Sequence, residues 1–259
     1  MKDIKTVILC GGMGTRLSEE TSLRPKPMVE IGDRPMLWHI MNLYNTYGFN
    51  EFVLALGFKG DFIKNYFLNY HALMSDISIN LSTGKTSFSS NDIEDWNVNL
   101  VDTGQNTLTG GRLLRLKDLL KNEEYFMVTY GDGLSNVNIE KLVDFHISHG
   151  KIATVTAVRP PARFGGMKIS SSTVESFEEK PQSGEASING GFFVFSKEIF
   201  DYLEDDKTIL ESFPMERLVD DSQLMAYEHN GFWQCMDTVR DRDYLRDLYN
   251  NGSPPWTIG

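Results

Sequence analysis

A short apolar run near the start of the chain ends abruptly in a glycine-rich loop, and this feature constrains the fold most. Val7-Ile-Leu-Cys10 leads directly into Gly11-Gly-Met-Gly14. Such a run, stopped by glycine, is typical of a strand buried on both faces. Pro35–Tyr44 then carries apolar residues at helical spacing behind a proline, and Phe52–Leu56 repeats the buried-strand pattern. Strand, helix and strand in this order predict a parallel sheet flanked by helices.

The same alternation extends along the rest of the chain and predicts a Rossmann-like α/β fold with a mixed, mainly parallel central sheet. No internal repeat or low-complexity linker divides the sequence, so we expect one domain over residues 1–259. The serine-rich stretch Ile77–Ser90 predicts a small β excursion from that sheet, within about residues 71–100. Further strands are predicted at Val98–Asp102, Tyr125–Tyr130, Ala153–Val158, Met167–Ile169, Val174–Glu178, Gly191–Phe195 and Leu224–Glu228, and further helices at Phe62–Tyr70, Leu113–Leu120, Ile139–His149, Ile199–Leu203 and Asp241–Tyr249.

The charge balance limits which partners the chain can have. Asp and Glu number 36 against 25 Lys and Arg, which gives a formal net charge of -11. A surface of this sign repels nucleic acid and anionic lipid, so we expect neither as a partner. Any anionic substrate would need positive charge concentrated in one cleft.

Cysteine and histidine give no sign of a disulfide scaffold or a metal cluster. The two cysteines, Cys10 and Cys235, form no C-x-x-C motif. The apolar start is too short for a signal-peptide core, and no apolar run reaches the ~18–20 residues of a membrane helix. The sequence therefore predicts a cytoplasmic protein. His146 and His149 lie three apart on one predicted helix with no third ligand nearby, and we expect them at the surface or in an interface.

The loop after the first strand combines glycines with fixed positive charge. Gly11-Gly-Met-Gly-Thr-Arg-Leu17 is followed by Arg24-Pro-Lys-Pro-Met28. Backbone N–H groups in such a turn make a nest for phosphate oxygens, and Arg16 and Lys26 add cations. The spacing excludes a P-loop, and Leu17 stands where a dinucleotide fingerprint needs its third glycine. The alternative is a glycine-rich turn that only reverses the chain.

Two aspartates are candidates for a metal site. Asp132 follows a predicted buried strand between two glycines, at the edge where open α/β sheets bind ligands. Mg²⁺ prefers one or two carboxylates together with phosphate oxygens and water. Asp237 lies far away in the sequence, between Met236 and Thr238, and spacing alone does not pair it with Asp132. For each of them a turn or a helix cap remains the alternative.

Taken together, these motifs resemble the sugar-1-phosphate nucleotidylyltransferases, and most closely the branch that uses CTP and glucose 1-phosphate. The resemblance begins with Gly11–Leu17 and Lys26-Pro27, and it leaves out only the serine-rich stretch near residues 82–95 and the last few residues. The other matching segments follow in family order: Lys26-Pro-Met-Val-Glu-Ile31, Pro35-Met-Leu-Trp-His-Ile40, Trp96-Asn-Val-Asn-Leu-Val-Asp-Thr-Gly104, Thr109-Gly-Gly-Arg-Leu113, Tyr130-Gly-Asp-Gly133, Arg163-Phe-Gly165, Glu178-Glu-Lys-Pro181, Asn189-Gly-Gly-Phe-Phe193, Gly231-Phe-Trp-Gln234 and Met236-Asp-Thr238.

The resemblance implies a set of site residues and an activity. Arg16, Lys26 and Asp132 would be catalytic, and Asp132 would hold Mg²⁺ together with Asp237. The activity would be transfer of a cytidylyl group from CTP to α-D-glucose 1-phosphate in a homo-oligomeric enzyme of nucleotide-sugar synthesis for surface polysaccharide. The nucleotide would meet Leu9, Gly11, Gly12, Gly14, Thr15, Arg16, Lys26, Thr103, Gly104, Thr109, Gly110, Gly111 and Gly131, and the sugar phosphate would meet Gly165, Glu179, Lys180, Asn189 and Gly190.

Several alternatives remain open at this point. The run Glu178-Glu-Lys-Pro181 is also typical of a solvated charged turn, and Thr109 is also a good helix cap. UTP or dTTP could replace CTP, because the glycine loop is shared by all these enzymes. A non-catalytic homologue that senses nucleotide would be expected to have lost Arg16 or the metal carboxylates. If the enzyme interpretation is right, Arg16, Lys26 and Lys180 should line one pocket opposite Asp132 and Asp237.

Overall fold

The computed structural model describes residues 4–89, 93–160, 166–170, 173–178 and 187–257, over which strands and helices alternate as the sequence predicts. The strands are β1 Thr6–Cys10, β2 Glu30–Ile31, β3 Arg34–Pro35, β4 Glu51–Leu56, β5 Asp76–Ile79, β6 Thr86–Ser89, β7 Asn97–Asp102, β8 Tyr125–Tyr130, β9 Gly133–Ser135, β10 Ala153–Val158, β11 Gly166–Ser170, β12 Thr173–Glu178, β13 Ile188–Ser196, β14 Leu224–His229 and β15 Trp233–Cys235. The helices are α1 Ser18–Thr21, α2 Met36–Thr46, α3 Gly60–Leu68, α4 Tyr70–Leu73, α5 Thr109–Arg115, α6 Lys117–Leu120, α7 Ile139–His149, α8 Phe213–Asp220 and α9 Val239–Asn250, with short 3₁₀ turns at Thr15–Leu17, Lys26–Met28 and Lys197–Tyr202.

Seven of the described strands form the central sheet, in the order β14-β10-β13-β8-β1-β4-β7. All neighbouring pairs are parallel except those that involve β13, which runs antiparallel to both β8 and β10. The predicted mixed, mainly parallel sheet is therefore confirmed. The serine-rich stretch forms the predicted excursion, an antiparallel hairpin of β5 and β6 that pairs with no other strand among the described residues.

Strand β1 lies in the interior of the sheet, between β8 and β4, and both of its faces are apolar. Ile8 and Cys10 enter one buried cluster, which includes α2 and α7, and Val7 and Leu9 enter the other, which includes α5. Every residue of β1 is buried, as expected for a strand covered by helices on both faces. The glycine loop that follows is thus anchored to a fully buried strand.

The sheet brings distant segments of the chain to one edge. The carboxyl ends of the parallel strands β1, β7 and β8 lie there. Because β13 is antiparallel, its amino end reaches the same edge, with Phe192 paired to Thr129. A small ribbon then pairs β9 with β15, Gly133 opposite Cys235, and the Met236 N–H donates to the Asp132 carbonyl over 2.8 Å. This ribbon sets Asp237 beside Asp132.

The structure differs locally from the sequence-based expectations. The helix predicted at Leu113–Leu120 begins at Thr109 and is divided at Leu116 into α5 and α6. Helix α8 has no predicted counterpart; it begins at Phe213, with a proline at its first turn. His146 is fully buried, not at the surface, because Thr154 and Ser196 on β10 and β13 hydrogen-bond its two ring nitrogens.

Among the residues that the structure describes, no helix combines the length and the apolar character that a membrane crossing needs.

Candidate active site

A cleft opens at the sheet edge where these strand ends converge. Its volume is about 330 Å³. Its walls come from the glycine loop, the turn at Lys26, the start of α5 and the segments that follow β8 and β15. The lining residues are Leu9, Cys10, Gly11, Gly12, Gly14, Thr15, Arg16, Lys26, Pro27, Thr107, Leu108, Thr109, Arg112, Tyr130, Gly131, Asp132 and Asp237.

Lys26 is the central cation of this cleft. It begins a 3₁₀ turn behind Pro25, and only 11% of its side chain is exposed. Its Nζ lies 2.6 Å from Asp132 Oδ2 and 2.8 Å from Asp237 Oδ1. Burial acts to lower the pKa of Lys26, but the charge and hydrogen bonds of the two carboxylates outweigh burial and raise that pKa. The ammonium group therefore stays charged and draws both carboxylates to one point.

Arg16 completes the charged cluster from the solvent side. Its Nη1 donates to Asp237 Oδ2 over 2.9 Å, and 73% of its side chain is exposed. Burial acts to raise the pKa of Asp237, but the hydrogen bond and charge of Lys26, with the charge of Arg16, outweigh it and lower that pKa. Asp237 is thus ionised at neutral pH. Arg16 and Lys26 line the pocket as predicted, but they pair directly with the carboxylates and do not stand opposite them.

Arg112 braces the glycine loop from behind. Its buried guanidinium donates to carbonyl oxygens of Gly11, Leu56, Gly104 and Gln105 and to the Thr103 hydroxyl, over 2.7 to 3.3 Å. A side chain on Gly11 would overlap this guanidinium, so only glycine fits at the loop's first position. Desolvation is the main reason that the pKa of Arg112 is lowered. Arg112 therefore ties the loop after β1 to the segment after β7.

Some residues predicted for the nucleotide do not line the cleft. The buried Thr103 hydroxyl donates to the Leu56 carbonyl and accepts from Arg112. The Gly104 carbonyl also accepts a hydrogen bond from Arg112. The N–H groups of Gly110 and Gly111 donate to the Thr208 carbonyl. These four residues support the wall from behind. The predicted residues that do line it are Leu9, Gly11, Gly12, Gly14, Thr15, Arg16, Lys26, Thr109, Gly131, Asp132 and Asp237.

The residues predicted for the sugar phosphate are only partly covered. Gly165, Glu179 and Lys180 lie outside the described residues. Asn189, at the amino end of β13, is exposed; its side-chain Nδ2 donates to the Tyr130 hydroxyl over 3.5 Å. The Gly190 carbonyl accepts the Trp233 indole N–H over 2.7 Å. The start of β13 thus lies beside Tyr130 at the rim of the cleft.

Comparison with known proteins identifies the family. The nucleotidyl transferase family profile matches residues 5–240. A glucose-1-phosphate cytidylyltransferase of Salmonella typhi is 49% identical over 98% of both chains. The chain belongs to the nucleotidyl transferase family. A mannose-1-phosphate guanyltransferase of Schizosaccharomyces pombe is 30% identical over 93% of this chain and 62% of its own. The crystal structure of HddC from Yersinia pseudotuberculosis shares the fold, with a TM-score of 0.70 at 22% identity over 95% of this chain and 99% of that one.

Nucleotidyl transferases generally use a divalent metal ion, and the cleft offers a fitting donor set. The Asp132 and Asp237 carboxylates face one point, since both hydrogen-bond the same Lys26 nitrogen. Within the described part of the chain, no three His, Cys, Asp or Glu side chains group to hold a metal. Two carboxylates suit an ion such as Mg²⁺, which takes its remaining ligands from water and substrate phosphates.

The thiols near the cleft are largely buried, and their pKa values are raised. Cys235 lies beside Asp237, with Sγ 3.8 Å from Oδ2, and burial, followed by the Asp237 charge, raises its pKa to about 12. Cys10 is fully buried, and desolvation raises its pKa further still. A thiol that stays protonated cannot form a covalent intermediate. The chemistry of this nucleotidyl transferase cleft therefore depends on ions, hydrogen bonds and geometry.

The sequence interpretation missed three residues of this nucleotidyl transferase site. Arg112 lies inside Thr109-Gly-Gly-Arg-Leu113, but the predicted helix began only at Leu113, and nothing in the sequence indicated that Arg112 would be buried. Tyr130 belongs to a strand that the sequence shows as core, yet its hydroxyl reaches the rim. Glu211 precedes the unforeseen helix α8 and contacts Tyr130. The one local sign in the sequence concerned Arg112, a cation that directly follows the glycine pair Gly110-Gly111.

Proposed function

We propose that the protein transfers a cytidylyl group from CTP to α-D-glucose 1-phosphate, giving CDP-glucose and pyrophosphate. The observation that carries this proposal is the convergence of Lys26, Asp132 and Asp237 at the glycine loop, in a chain 49% identical to a glucose-1-phosphate cytidylyltransferase. A phosphate-binding loop beside two carboxylates is the arrangement that phosphoryl-group chemistry needs. The -11 net charge then describes the outer surface, while a few cations serve the cleft.

The reaction needs positioning more than acid–base catalysis. The phosphate oxygen of the sugar phosphate is already an anion near neutral pH, so no general base is required. That oxygen attacks the α-phosphorus in line, and the bond from the α-phosphorus to the bridging oxygen breaks as pyrophosphate leaves. The protein's work is to hold the two anions together and to neutralise their charge. The protonated thiols fit this scheme, since no covalent intermediate is needed.

The residues of the cleft divide this work. Backbone N–H groups of the glycine loop and Arg16 hold the β- and γ-phosphates that leave as pyrophosphate. Lys26 holds a phosphate at the reacting centre. A divalent ion, in our proposal Mg²⁺, would be held by Asp132 and Asp237 and would neutralise phosphate charge there. Arg16 must leave Asp237 when that carboxylate takes the ion, and its 73% exposure leaves it free to turn toward phosphate.

Recognition of the base and the sugar is assigned to opposite walls. The start of α5, with Thr107, Leu108 and Thr109, forms the wall where we place cytosine. The amino end of β13, with Asn189, lies at the other rim, where we place glucose. Lys180 and Glu179 remain our candidates for the sugar phosphate and the sugar hydroxyls.

The setting of the enzyme is also part of the proposal. We place it in the cytoplasm as a single nucleotidyltransferase domain per chain, assembled as a homo-oligomer and supplying CDP-glucose for surface polysaccharide. The hairpin of β5 and β6 supports self-association, because one of its faces is apolar and exposed, with Ile77, Ile79 and Phe88 at 45%, 56% and 47%. A two-stranded hairpin of this kind is only marginally stable alone.

One assay tests the nucleotide and the activity together. The purified protein is offered ATP, GTP, CTP, UTP or dTTP with glucose 1-phosphate, and pyrophosphate release is measured with and without Mg²⁺. We expect release to be fastest with CTP and to require the divalent ion. Faster turnover with UTP or dTTP would reassign the nucleotide. Nucleotide binding without any release would instead indicate the non-catalytic sensor.

A further inference from the structure

Glu211 lies just behind the cleft and holds two of its walls through hydroxyl groups. It lies just before Ser212, the residue that precedes α8, and it does not line the cleft itself. One carboxylate oxygen accepts the Thr109 hydroxyl over 2.7 Å, and the other accepts the Tyr130 hydroxyl. Both donors do line the cleft. The Thr109 oxygen also accepts the Leu210 N–H over 2.9 Å, which fixes the direction in which its proton points.

The contacts continue from Tyr130 to the strand where we place the sugar. The Tyr130 hydroxyl accepts from Asn189 Nδ2 over 3.5 Å, while Asn189 Oδ1 accepts the Gly191 N–H over 2.8 Å. The Tyr130 ring covers Gly191, and any side chain there would overlap it. A chain of hydrogen bonds therefore runs from Thr109 through Glu211 and Tyr130 to Asn189. It crosses from the nucleotide wall to the sugar wall.

The two oxygens of the Glu211 side chain lie at the centre of this chain of hydrogen bonds. Both hydroxyls donate to Glu211, and only a carboxylate offers two acceptor oxygens at these places. Desolvation, followed by the charge of Glu211, raises the pKa of Tyr130, so its hydroxyl keeps the proton that it donates. An exposed carboxylate so close behind a cleft for phosphates would repel its substrates. The position of Glu211 therefore indicates a structural benefit to substrate binding that outweighs this repulsion.

We propose that Glu211 is a positioning residue that fixes Thr109 and Tyr130, and thereby the spacing between the nucleotide and sugar-phosphate subsites. The proposal rests on the proposed function for the identity of the two ligands. Glu211 acts through its two donors and touches no reacting atom. Its loss therefore weakens binding of both substrates more than it slows the step that follows binding.

The test measures binding as well as turnover, so that it does not depend on activity. Calorimetric Kd values for CTP alone and glucose 1-phosphate alone are compared in wild type, Glu211→Ala and Glu211→Gln. We expect Glu211→Ala to weaken each ligand about tenfold, as loss of a hydrogen bond to a charged group predicts. Glu211→Gln keeps the shape and one acceptor oxygen, so we expect about a threefold loss. Glu216→Ala, an exposed acid on α8, is the matched control and should bind as wild type does.

Double-mutant cycles separate the two arms of the chain. With Tyr130→Phe already present, Glu211→Ala should no longer weaken glucose 1-phosphate but should still weaken CTP. With Thr109→Val present, the reverse is expected. A merely structural role would lower the melting temperature and the active fraction with unchanged Kd values. Unchanged Kd values, or fully additive effects in both cycles, would overturn the proposal. A wild type that binds both ligands without releasing pyrophosphate would overturn the proposed function alone.

Discussion

The Lys26 ammonium nitrogen lies 2.6 Å from Asp132 Oδ2 and donates a second hydrogen bond to Asp237, so that one cation joins two carboxylates from distant parts of the chain. The pair is formed by the ribbon of β9 and β15, which sets Gly133 opposite Cys235. Two carboxylates this close repel each other unless a cation lies between them. In a nucleotidyl transferase the same convergence also suits a divalent ion that arrives with phosphate.

Removing the charge of Lys26 or of Asp132 should slow catalysis strongly without unfolding the protein. Lys26→Met keeps the length of the side chain and Asp132→Asn keeps its shape, but each removes a charge that faces the reacting phosphates. We expect kcat to fall about 10²–10³-fold in each variant, the usual cost of one such electrostatic contact. Pyrophosphate release at saturating CTP and glucose 1-phosphate gives the measurement. A folded Asp132→Asn protein with near-normal turnover would remove Asp132 from the mechanism.

Arg112 should matter for stability as well as for CTP. Its guanidinium satisfies five oxygens from the loops after β1, β4 and β7, and no carboxylate is among them. Arg112→Met removes a donor from each of these oxygens, although the Leu56 and Gly11 carbonyls keep their bonds from Thr103 and Phe58, and we expect the loss to cost about 3 kcal/mol in the free energy of unfolding. Urea denaturation measures that loss. Arg112→Lys keeps the charge but not the fork of donors, so it should recover only part of the stability.

The KM for CTP is the second readout for Arg112. The braced loops form the nucleotide side of the cleft, so loosening them should raise this KM about tenfold in Arg112→Lys. Arg115→Lys is the matched control, because that arginine lies one turn further along α5 and pairs at the surface with Asp206. It should bind CTP as wild type does. A CTP KM that does not change in Arg112→Lys would limit Arg112 to a structural role.

The sequence was a good guide to what depends on local pattern. The buried strand Thr6–Cys10 and its glycine loop, the parallel strands and the charged residues Arg16 and Lys26 all followed from residue type and spacing. What it could not supply was contact between distant segments. Asp132 and Asp237 come together at Lys26 because of the β9–β15 ribbon. Each strand of that ribbon has three residues, which is too short for a periodic pattern of apolar residues to show in the sequence.

The same limit explains why His146 was predicted at the surface or in an interface and why the burial of Arg112 was not foreseen. Arg112 and His146 carry ionisable side chains, which are exposed in most proteins, so pattern alone places them at the surface. Here tertiary partners override that preference. The Arg112 guanidinium has five acceptors, and His146 has two hydroxyls on neighbouring strands. Neither set of partners can be inferred from spacing along one helix.

Burial of His146 makes the stability of the fold depend on pH. Desolvation, aided by the nearby His149, lowers the pKa of His146 from 6.5 to about 4. As the pH falls, His146 therefore binds a proton near pH 6.5 in the unfolded chain but only near pH 4 in the folded chain. Stability should be full above pH 6.5 and should fall by about 3 kcal/mol from this residue alone as pH drops toward 4.

Urea denaturation at pH 7.5, 6, 5 and 4 measures this slope. In His146→Gln the side chain does not titrate, so the loss of stability between pH 6.5 and 4 should be smaller by about the same amount. His71→Gln, which alters an exposed histidine on α4, should keep the wild-type slope. If both variants lose stability in parallel with wild type, His146 is not the group that titrates.

The exposed hairpin should decide whether the chain self-associates. Ile77 pairs with Phe88 on one face, and Ser78 pairs with Ser87 on the other. A charge on the apolar face would have to be desolvated in a subunit contact, whereas a charge on the serine face would stay in water. We therefore expect Ile77→Lys to dissociate the oligomer, which size-exclusion chromatography with light scattering would show as a lower molar mass than that of wild type. Ser78→Lys has the same charge one residue away, and it should leave the wild-type mass unchanged. A wild type that runs as a monomer, or equal dissociation by both lysines, would contradict a contact through the Ile77 face.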